Sequence, residues 1–111
     1  GATLPSKAVF CNGTQTNQTV GNSQITITNN RIADVFSATT TSAGIHVAAG
    51  CNTWTVSDNR FFQTAPRTWT TGANHRPIEI LGTSATSGTQ GNTITGNVIG
   101  FASAAETGTY A

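Results

Sequence analysis

The chain has 111 residues, among them 22 Thr, 10 Asn and 12 Gly, and only 8% of its residues are charged, for a formal net charge of +1. The length allows at most one ordinary domain, threonine favours strands, and Asn and Gly favour turns, so long helices are not expected. The five scattered Lys and Arg residues argue against nucleic-acid binding, and no apolar run approaches the ~20 residues that membrane insertion needs.

Short strands are predicted at three places, 8–11, 44–47 and 77–81. In the last two, apolar residues alternate with a polar residue, which is His46 in one strand and Glu79 in the other. Alternation with a period of two is typical of a half-buried strand. We therefore expect these strands to stack on one another, with His46 beside Glu79 at the ~4.8 Å strand spacing as an exposed pair.

A segment of 12 residues occurs three times, as GNSQITITNNRI from Gly21, GCNTWTVSDNRF from Gly50 and GTQGNTITGNVI from Gly88. The copies share an opening Gly, a Thr, an Asn and two apolar positions, although the spacing between copies changes from 29 to 38 residues. Constant segments with variable loops between them are typical of stacked coils. The matched positions are Gly21, Gly50 and Gly88; Thr26, Thr55 and Thr93; Ile27, Val56 and Ile94; Asn30, Asn59 and Asn97; and Ile32, Phe61 and Ile99.

These repeats predict an all-β fold, a solenoid fragment of about three coils that forms a single unit over 1–111. The coils run roughly over 8–43, 44–76 and 77–108, and 109–111 begins a further coil or is a terminus. The two ends of so short a solenoid would carry unpaired strand edges. Because something must cover those edges, we expect an oligomer or a longer parent protein.

The repeated Asn is predicted to stand at a corner of each coil. Asn adopts the left-handed backbone conformation more readily than other non-glycine residues, and stacked amides can hydrogen-bond to one another. Asn30, Asn59 and Asn97 are therefore interpreted as structural, and Asp58 as a cap of the same turn. Trp54, which lies two residues before the inward Val56, is predicted to be buried.

The two cysteines, Cys11 and Cys51, are interpreted as small buried apolar residues, because Cys11 aligns with Val47 in the predicted register. A disulfide between them stays open as the alternative. With His46 and His75 they show no spacing typical of a metal site, so neither a metal nor another cofactor is expected.

The pattern over 44–61, GI-x-V, a short loop, GCN, a strand and DNRF, resembles the coils of pectate-lyase-like right-handed parallel β-helix proteins. The Thr-, Asn- and Gly-rich, weakly charged composition is most similar to that of bacteriophage tailspikes. The resemblance covers residues 8–108 and implies a homotrimer in the virion tail that recognises, and often cleaves, bacterial surface polysaccharide. An extracellular or secreted protein is the alternative location.

Catalysis is the alternative function, as part of the catalytic body of a polysaccharide-degrading β-helix enzyme, either a glycosidase or a lyase. Glycosidases need two carboxylates at a set separation. Glu79 and Asp34 are weak candidates, and a complete active site is not expected, so whether the chain is an enzyme stays open. The acids of the chain are Asp34, Asp58, Glu79 and Glu106.

Carbohydrate binding is predicted in the loop 63–76, which combines an aromatic ring with groups that hydrogen-bond to hydroxyls. The alternative interpretation of this loop is that the indole of Trp69 packs on the flank of a coil or at a subunit interface. The candidate binding residues are Trp69, Arg67, Asn74, His75 and Arg76.

Rows of Thr-x-Thr suggest a third possibility, an ice-binding solenoid. Such solenoids need a constant coil length, whereas the loops here vary in length, and the middle coil has Thr55-Val56-Ser57 in place of Thr-x-Thr. This interpretation is therefore disfavoured.

Overall fold

The computed structural model describes residues 3–12, 22–70, 72–81, 91–103 and 105–108. Strands make up 47% of these residues, and none of them is helical. In particular, the described part of the chain has no helix with the length and apolar character required to cross a membrane.

Eleven strands, each of two to six residues, follow one another along the described chain. They are β1 Lys7–Cys11, β2 Asn22–Ser23, β3 Thr26–Thr28, β4 Arg31–Ala33, β5 Ser42–Val47, β6 Cys51–Asn52, β7 Thr55–Ser57, β8 Arg60–Phe62, β9 His75–Ile80, β10 Thr93–Thr95 and β11 Val98–Phe101.

All the described pairings are parallel and join strands that are distant in sequence. Three sheets have three strands each, in the orders β1-β5-β9, β3-β7-β10 and β4-β8-β11, and β2 pairs with β6. The prediction of an all-β fold built from parallel sheets is confirmed. The strands β5, β7 and β8 lie at the centres of their sheets, so each of them is flanked by a strand on both sides.

The register agrees with the alignment of the repeated segments. The central residue of each row, Val56 or Phe61, is buried, whereas Ile94 is 47% and Ile99 51% exposed. The core is therefore deepest at the central strands and opens toward β10 and β11. The two apolar rows, read across the strands, are Ile27, Val56 and Ile94, and Ile32, Phe61 and Ile99.

The repeated segment is not one continuous strand but is divided among different sheets. In each copy the fourth and ninth residues adopt the left-handed backbone conformation, and each such residue redirects the chain into a new strand. The fourth residues are Gln24, Thr53 and Gly91, with φ of 59°, 58° and 66°, and the ninth are Asn29, Asp58 and Gly96, with φ of 57°, 56° and 64°.

The repeated asparagines form a ladder of amides across the three copies. The side chain of Asn30 donates from Nδ2 to Oδ1 of Asn59, and Asn59 donates in the same way to Asn97, both at 3.0 Å. Nδ2 of Asn59 also donates to the backbone carbonyl of Ile27, and that of Asn97 to the carbonyl of Val56. The predicted amide stacking is confirmed. The predicted left-handed conformation at these asparagines is wrong, because the preceding residue adopts it in each copy.

Cys11 and Cys51 form a disulfide, so the interpretation of unpaired cysteines is wrong. The expected register is correct, since Cys11 does lie opposite Val47. After Val47 the chain turns through Gly50, with φ of 80°, and the amide of Cys51 donates to the carbonyl of Ala48. This turn brings Cys51 back to a Cα–Cα distance of 6.4 Å from Cys11.

Trp54 is buried, as predicted. Its indole Nε1 donates to the carbonyl of Asn22 at 3.1 Å, and its backbone amide donates to Oδ1 of Asn92 at 2.9 Å. One residue thus connects all three copies of the repeat, because Asn22 belongs to the first copy and Asn92 to the third.

Gly44 allows two sheets to approach closely. A Cβ atom at this position would lie 2.6 Å from the carbonyl oxygen of Pro77 and 2.7 Å from the ring of Phe61. Phe61 of β8 therefore packs directly on the backbone of β5, and a larger residue at 44 would force these elements apart.

Candidate functional site

Trp69 is both packed and accessible. Its ring meets the ring of Phe36 edge to face, with 5.3 Å between the centroids and 70° between the planes, yet 42% of the residue remains exposed. The backbone amide of Thr70 donates to the carbonyl of Ala38 at 3.0 Å, which fixes the loop beside it. The indole thus presents an aromatic surface to solvent in a defined orientation.

Arg67 is held within the protein by two acceptors. Its Nη2 donates to Oδ1 of Asp34 in an ion pair, and its Nε donates to Oε1 of Gln63 at 2.9 Å. Gln63 is buried and donates in turn to the carbonyl of Val35 at 3.0 Å. Arg67 therefore fastens the loop after β8 to the turn after β4.

Asp34 is not suited to donate a proton, because its carboxyl group has a lowered pKa. Burial raises the pKa of its carboxyl group, but the hydrogen bonds from the amide and hydroxyl of Thr64, together with Arg67, outweigh burial and leave the pKa below its usual value. The Thr64 bonds measure 2.9 and 2.7 Å. Asp34 is thus an ionised anchor of the loop, not a general acid.

Asn74 and His75 contact Ser42, a residue that the sequence analysis did not select. The amide of Ser42 donates to the carbonyl of Asn74, and its Oγ lies 3.0 Å from Nδ1 of His75. Burial lowers the pKa of His75, which favours the neutral imidazole. Because Ser42 is fully buried, its hydroxyl is not accessible to a substrate, and the pair is structural.

Glu79 lies opposite His46 in the sheet and is bonded to it, as predicted, with 2.5 Å between Oε2 and Nδ1. The expectation of an exposed pair is wrong, since Glu79 is only 6% exposed. Arg76 pairs with the other carboxylate oxygen, and the ring of Phe10 lies 5.2 Å from that of His46.

The environment of Glu79 keeps it ionised. Burial raises the pKa of this carboxyl group, but the hydrogen bonds and positive charges of Arg76 and His46 outweigh burial and hold the pKa below its ordinary value. A glycosidase acid requires the opposite, a carboxyl group whose pKa is raised. Neither candidate carboxylate is therefore prepared for general acid catalysis.

A groove of about 710 Å³ lies next to Trp69. It is lined by 36–40, by 66–68 and by Thr3, Leu4 and Ser6. Six of the eleven lining residues that the structure describes carry a hydroxyl group, and the ring of Phe36 supplies an apolar surface. Of the predicted binding residues, the groove includes Arg67 in its wall and has Trp69 packed against its Phe36.

The walls of the groove are tied to one another by backbone bonds. The amide of Phe36 donates to the carbonyl of Pro5 at 2.9 Å, and Thr70 is bonded to Ala38 as described. With the ion pair of Arg67, these contacts join all three stretches of the wall. The groove is therefore preformed, which reduces the entropy lost when a ligand binds.

Trp69 and Arg67 were predictable from the sequence, but most of the groove was not. Phe36 and the hydroxyls of 37–40 belong to a stretch that reads as a plain polar loop. Asn74, His75 and Arg76, which were expected beside Trp69, instead contact Ser42 and Glu79. The predicted set thus divides between the groove and the start of strand β9, which Asn74 immediately precedes.

Within the described residues, no group of three or more His, Cys, Asp and Glu side chains is arranged to hold a metal ion. Comparison of the chain with protein-family models, curated proteins and solved structures finds no match. The function proposed below therefore depends on the geometry of the site.

Proposed function

We propose that this chain is part of a tailspike-like protein, a homotrimer built from right-handed parallel β-helices that recognises bacterial surface polysaccharide. In this proposal the stacked strands form the structural body, and the groove with Trp69 contacts the sugar. The observation that carries the binding function is the preformed groove, rich in hydroxyl groups, beside an exposed aromatic ring.

The β-helix is supported by the way the strands recur. The strands β3, β7 and β10 pair in register, as do β4 and β8, and β11 follows β8 in register at Val98 and Ile99 before a shift at Phe101. Each copy of the repeat thus supplies one strand to each stack. A chain that winds around one axis produces this order. The right hand follows from the rule that crossovers between parallel strands are right-handed in about 98% of cases.

The groove suits a sugar because its groups match the two sides of a pyranose ring. Hydroxyls and amides bond the sugar hydroxyls, and aromatic rings contact the apolar face of the ring. Trp69 and Phe36 supply the aromatic surface, and the hydroxyls come from the serine and threonine residues of the wall, among them Ser37, Thr39 and Thr40.

A trimer would cover apolar surface and strand edges that the single chain exposes. The large residues Phe10, Ile94 and Ile99 are each about half exposed. The disulfide is compatible with a virion surface and with an extracellular protein, because both are oxidising environments. The virion tail is our proposed location, with secretion as the alternative.

The alternative, part of the catalytic body of a polysaccharide-degrading enzyme, receives less support. Glu79 and Asp34 are both engaged by cations, and both have lowered pKa values. Glycoside hydrolysis with these two residues would lack its acid. We therefore propose binding, not hydrolysis, for the described site.

The test is affinity electrophoresis against capsule and O-antigen preparations. Trp69→Ala should weaken binding about tenfold, which corresponds to about 1.4 kcal/mol of lost aromatic contact. Ile25→Ala removes another large apolar side chain of similar exposure that does not line the groove, and it serves as the matched control. Equal affinities for the wild type and Trp69→Ala would contradict the assignment of the groove.

Sedimentation equilibrium tests the assembly separately. A mass of three chains supports the homotrimer. A single-chain mass across the accessible concentration range would contradict it, whatever the outcome of the binding experiment.

A further inference from the structure

The groove is nearly free of net charge. Of the eleven described residues that line it, only Arg67 carries a charge, and none is acidic. The carboxylate of Asp34, which does not line the groove, balances the positive charge of Arg67. We infer that the ligand of this groove is a neutral polysaccharide, not one that carries carboxylate, sulfate or phosphate groups; this inference rests on the binding function proposed above.

An acidic sugar would have to compete with the protein for the guanidinium group. The carboxylate of Asp34 accepts from Nη2 of Arg67, and Gln63 accepts from Nε. Recognition of an anion favours a bidentate arginine whose N–H groups are open to the ligand. Here two of the N–H groups are already bonded, and the carboxylate of Asp34 already balances the positive charge of Arg67, so a second anion would gain little from this side chain.

Two other arginines in the described part of the chain, Arg60 and Arg76, are also paired with acids. Nε of Arg60 lies 2.9 Å from Oε1 of Glu106, and Arg76 contacts Glu79. Proteins that bind polyanions concentrate unpaired cations on one face, which raises both affinity and its dependence on salt. The pairing of these arginines works against such a face.

The groups that remain in the groove suit sugar hydroxyls. A Ser or Thr hydroxyl is at once a donor and an acceptor, as is the hydroxyl of a sugar, so either direction of hydrogen bond is possible. The described bonds use two of the five N–H groups of Arg67, and its side chain is 18% exposed. Arg67 can therefore donate to a neutral hydroxyl without leaving Asp34.

The experiment compares neutral and acidic polymers. The wild-type chain is run in gels containing a neutral glucan, a neutral galactomannan, alginate or hyaluronan, at about 0.05 M and about 0.5 M salt. We expect retardation by at least one neutral polymer, with an apparent Kd that changes less than about twofold between the two salt concentrations.

Two variants that add the same charge sharpen the test. Thr68→Lys places a cation in the wall of the groove, and Ala65→Lys places one on an exposed residue that does not line it. We expect Thr68→Lys to gain affinity for alginate or hyaluronan and to lose about threefold or more for the neutral polymer. Ala65→Lys should leave the neutral affinity unchanged.

The outcomes separate the inference from the function on which it rests. Binding of acidic polymers alone, with affinity that falls about tenfold or more at the higher salt concentration, would overturn the neutral ligand and leave polysaccharide binding intact. Binding of none of the neutral or acidic polymers, nor of the capsule and O-antigen preparations, would overturn both.

Discussion

Replacement of Asn59 by alanine tests the amide ladder at its centre. Asn59 is fully buried, and its side chain takes part in four hydrogen bonds. Its Oδ1 accepts from the amide and the Nδ2 of Asn30, and its Nδ2 donates to Ile27 and Asn97. Alanine removes all four bonds, and it leaves the backbone amide of Asn30 and the carbonyl of Ile27 without this side-chain partner.

The expected loss of unfolding free energy is about 4 kcal/mol, four bonds at about 1 kcal/mol each. The neighbouring asparagines are internal controls. Asn97→Ala removes three side-chain bonds at a partly buried position and should cost about 2 to 3 kcal/mol. Asn30→Ala removes two at an exposed position, where water replaces the lost partner, and should cost about 1 kcal/mol.

Urea denaturation followed by circular dichroism measures the three losses. The measurements are made at several protein concentrations, because association of the folded chain would make the apparent stability concentration-dependent. A loss below about 1 kcal/mol for Asn59→Ala, or a loss no greater than that of Asn30→Ala, would refute the reasoning that the ladder stabilises the stack.

Three further predictions concern the disulfide and the titratable groups. Replacing Cys11 and Cys51 together by Ser should lower the unfolding free energy by about 4 kcal/mol, because the disulfide joins residues 40 positions apart and so closes a long loop in the unfolded chain. Equal urea midpoints for the double variant and the wild type would contradict this. The carboxyl groups of Glu79 and Asp34 have lower pKa values in the folded chain than in the unfolded chain. Their contribution to the unfolding free energy is therefore present above about pH 4 and is lost as the pH falls through the folded pKa values. The urea midpoint of Glu79→Gln should accordingly fall less steeply in acid than that of the wild type. Burial lowers the pKa of His75 and favours its neutral form, so the unfolding free energy should decline as the pH drops below about 6.5. A His75→Gln variant that retains this decline would show that another group causes it.

The strand pattern was readable because stacked strands impose simple spacing rules. Once Ile27, Val56 and Ile94 occupy equivalent positions, the parallel register of the strands that carry them follows without reference to the loops. The same holds for Asn59 and the amide ladder, since equal positions on neighbouring strands bring like side chains within hydrogen-bond distance.

The division of each repeat into several strands was harder to read. It depends on a left-handed residue at the fourth position, which is Gln24, Thr53 or Gly91 according to the copy. Gln and Thr have no preference for that conformation, so the neighbouring strands impose it. Composition alone indicated turns in general but did not locate these.

The amino-acid sequence by itself determined the β class, the parallel stacking and the residues of the apolar rows, because these depend on periodicity along the chain. Only the tertiary structure decided which side chains meet across sheets and loops. Three features depend on the path that the chain takes between strands. They are the Cys11–Cys51 disulfide, the ion pair of Asp34 with Arg67 and the groove beside Trp69. That path is set by turn geometry and packing in three dimensions, for which no regular spacing in the sequence exists.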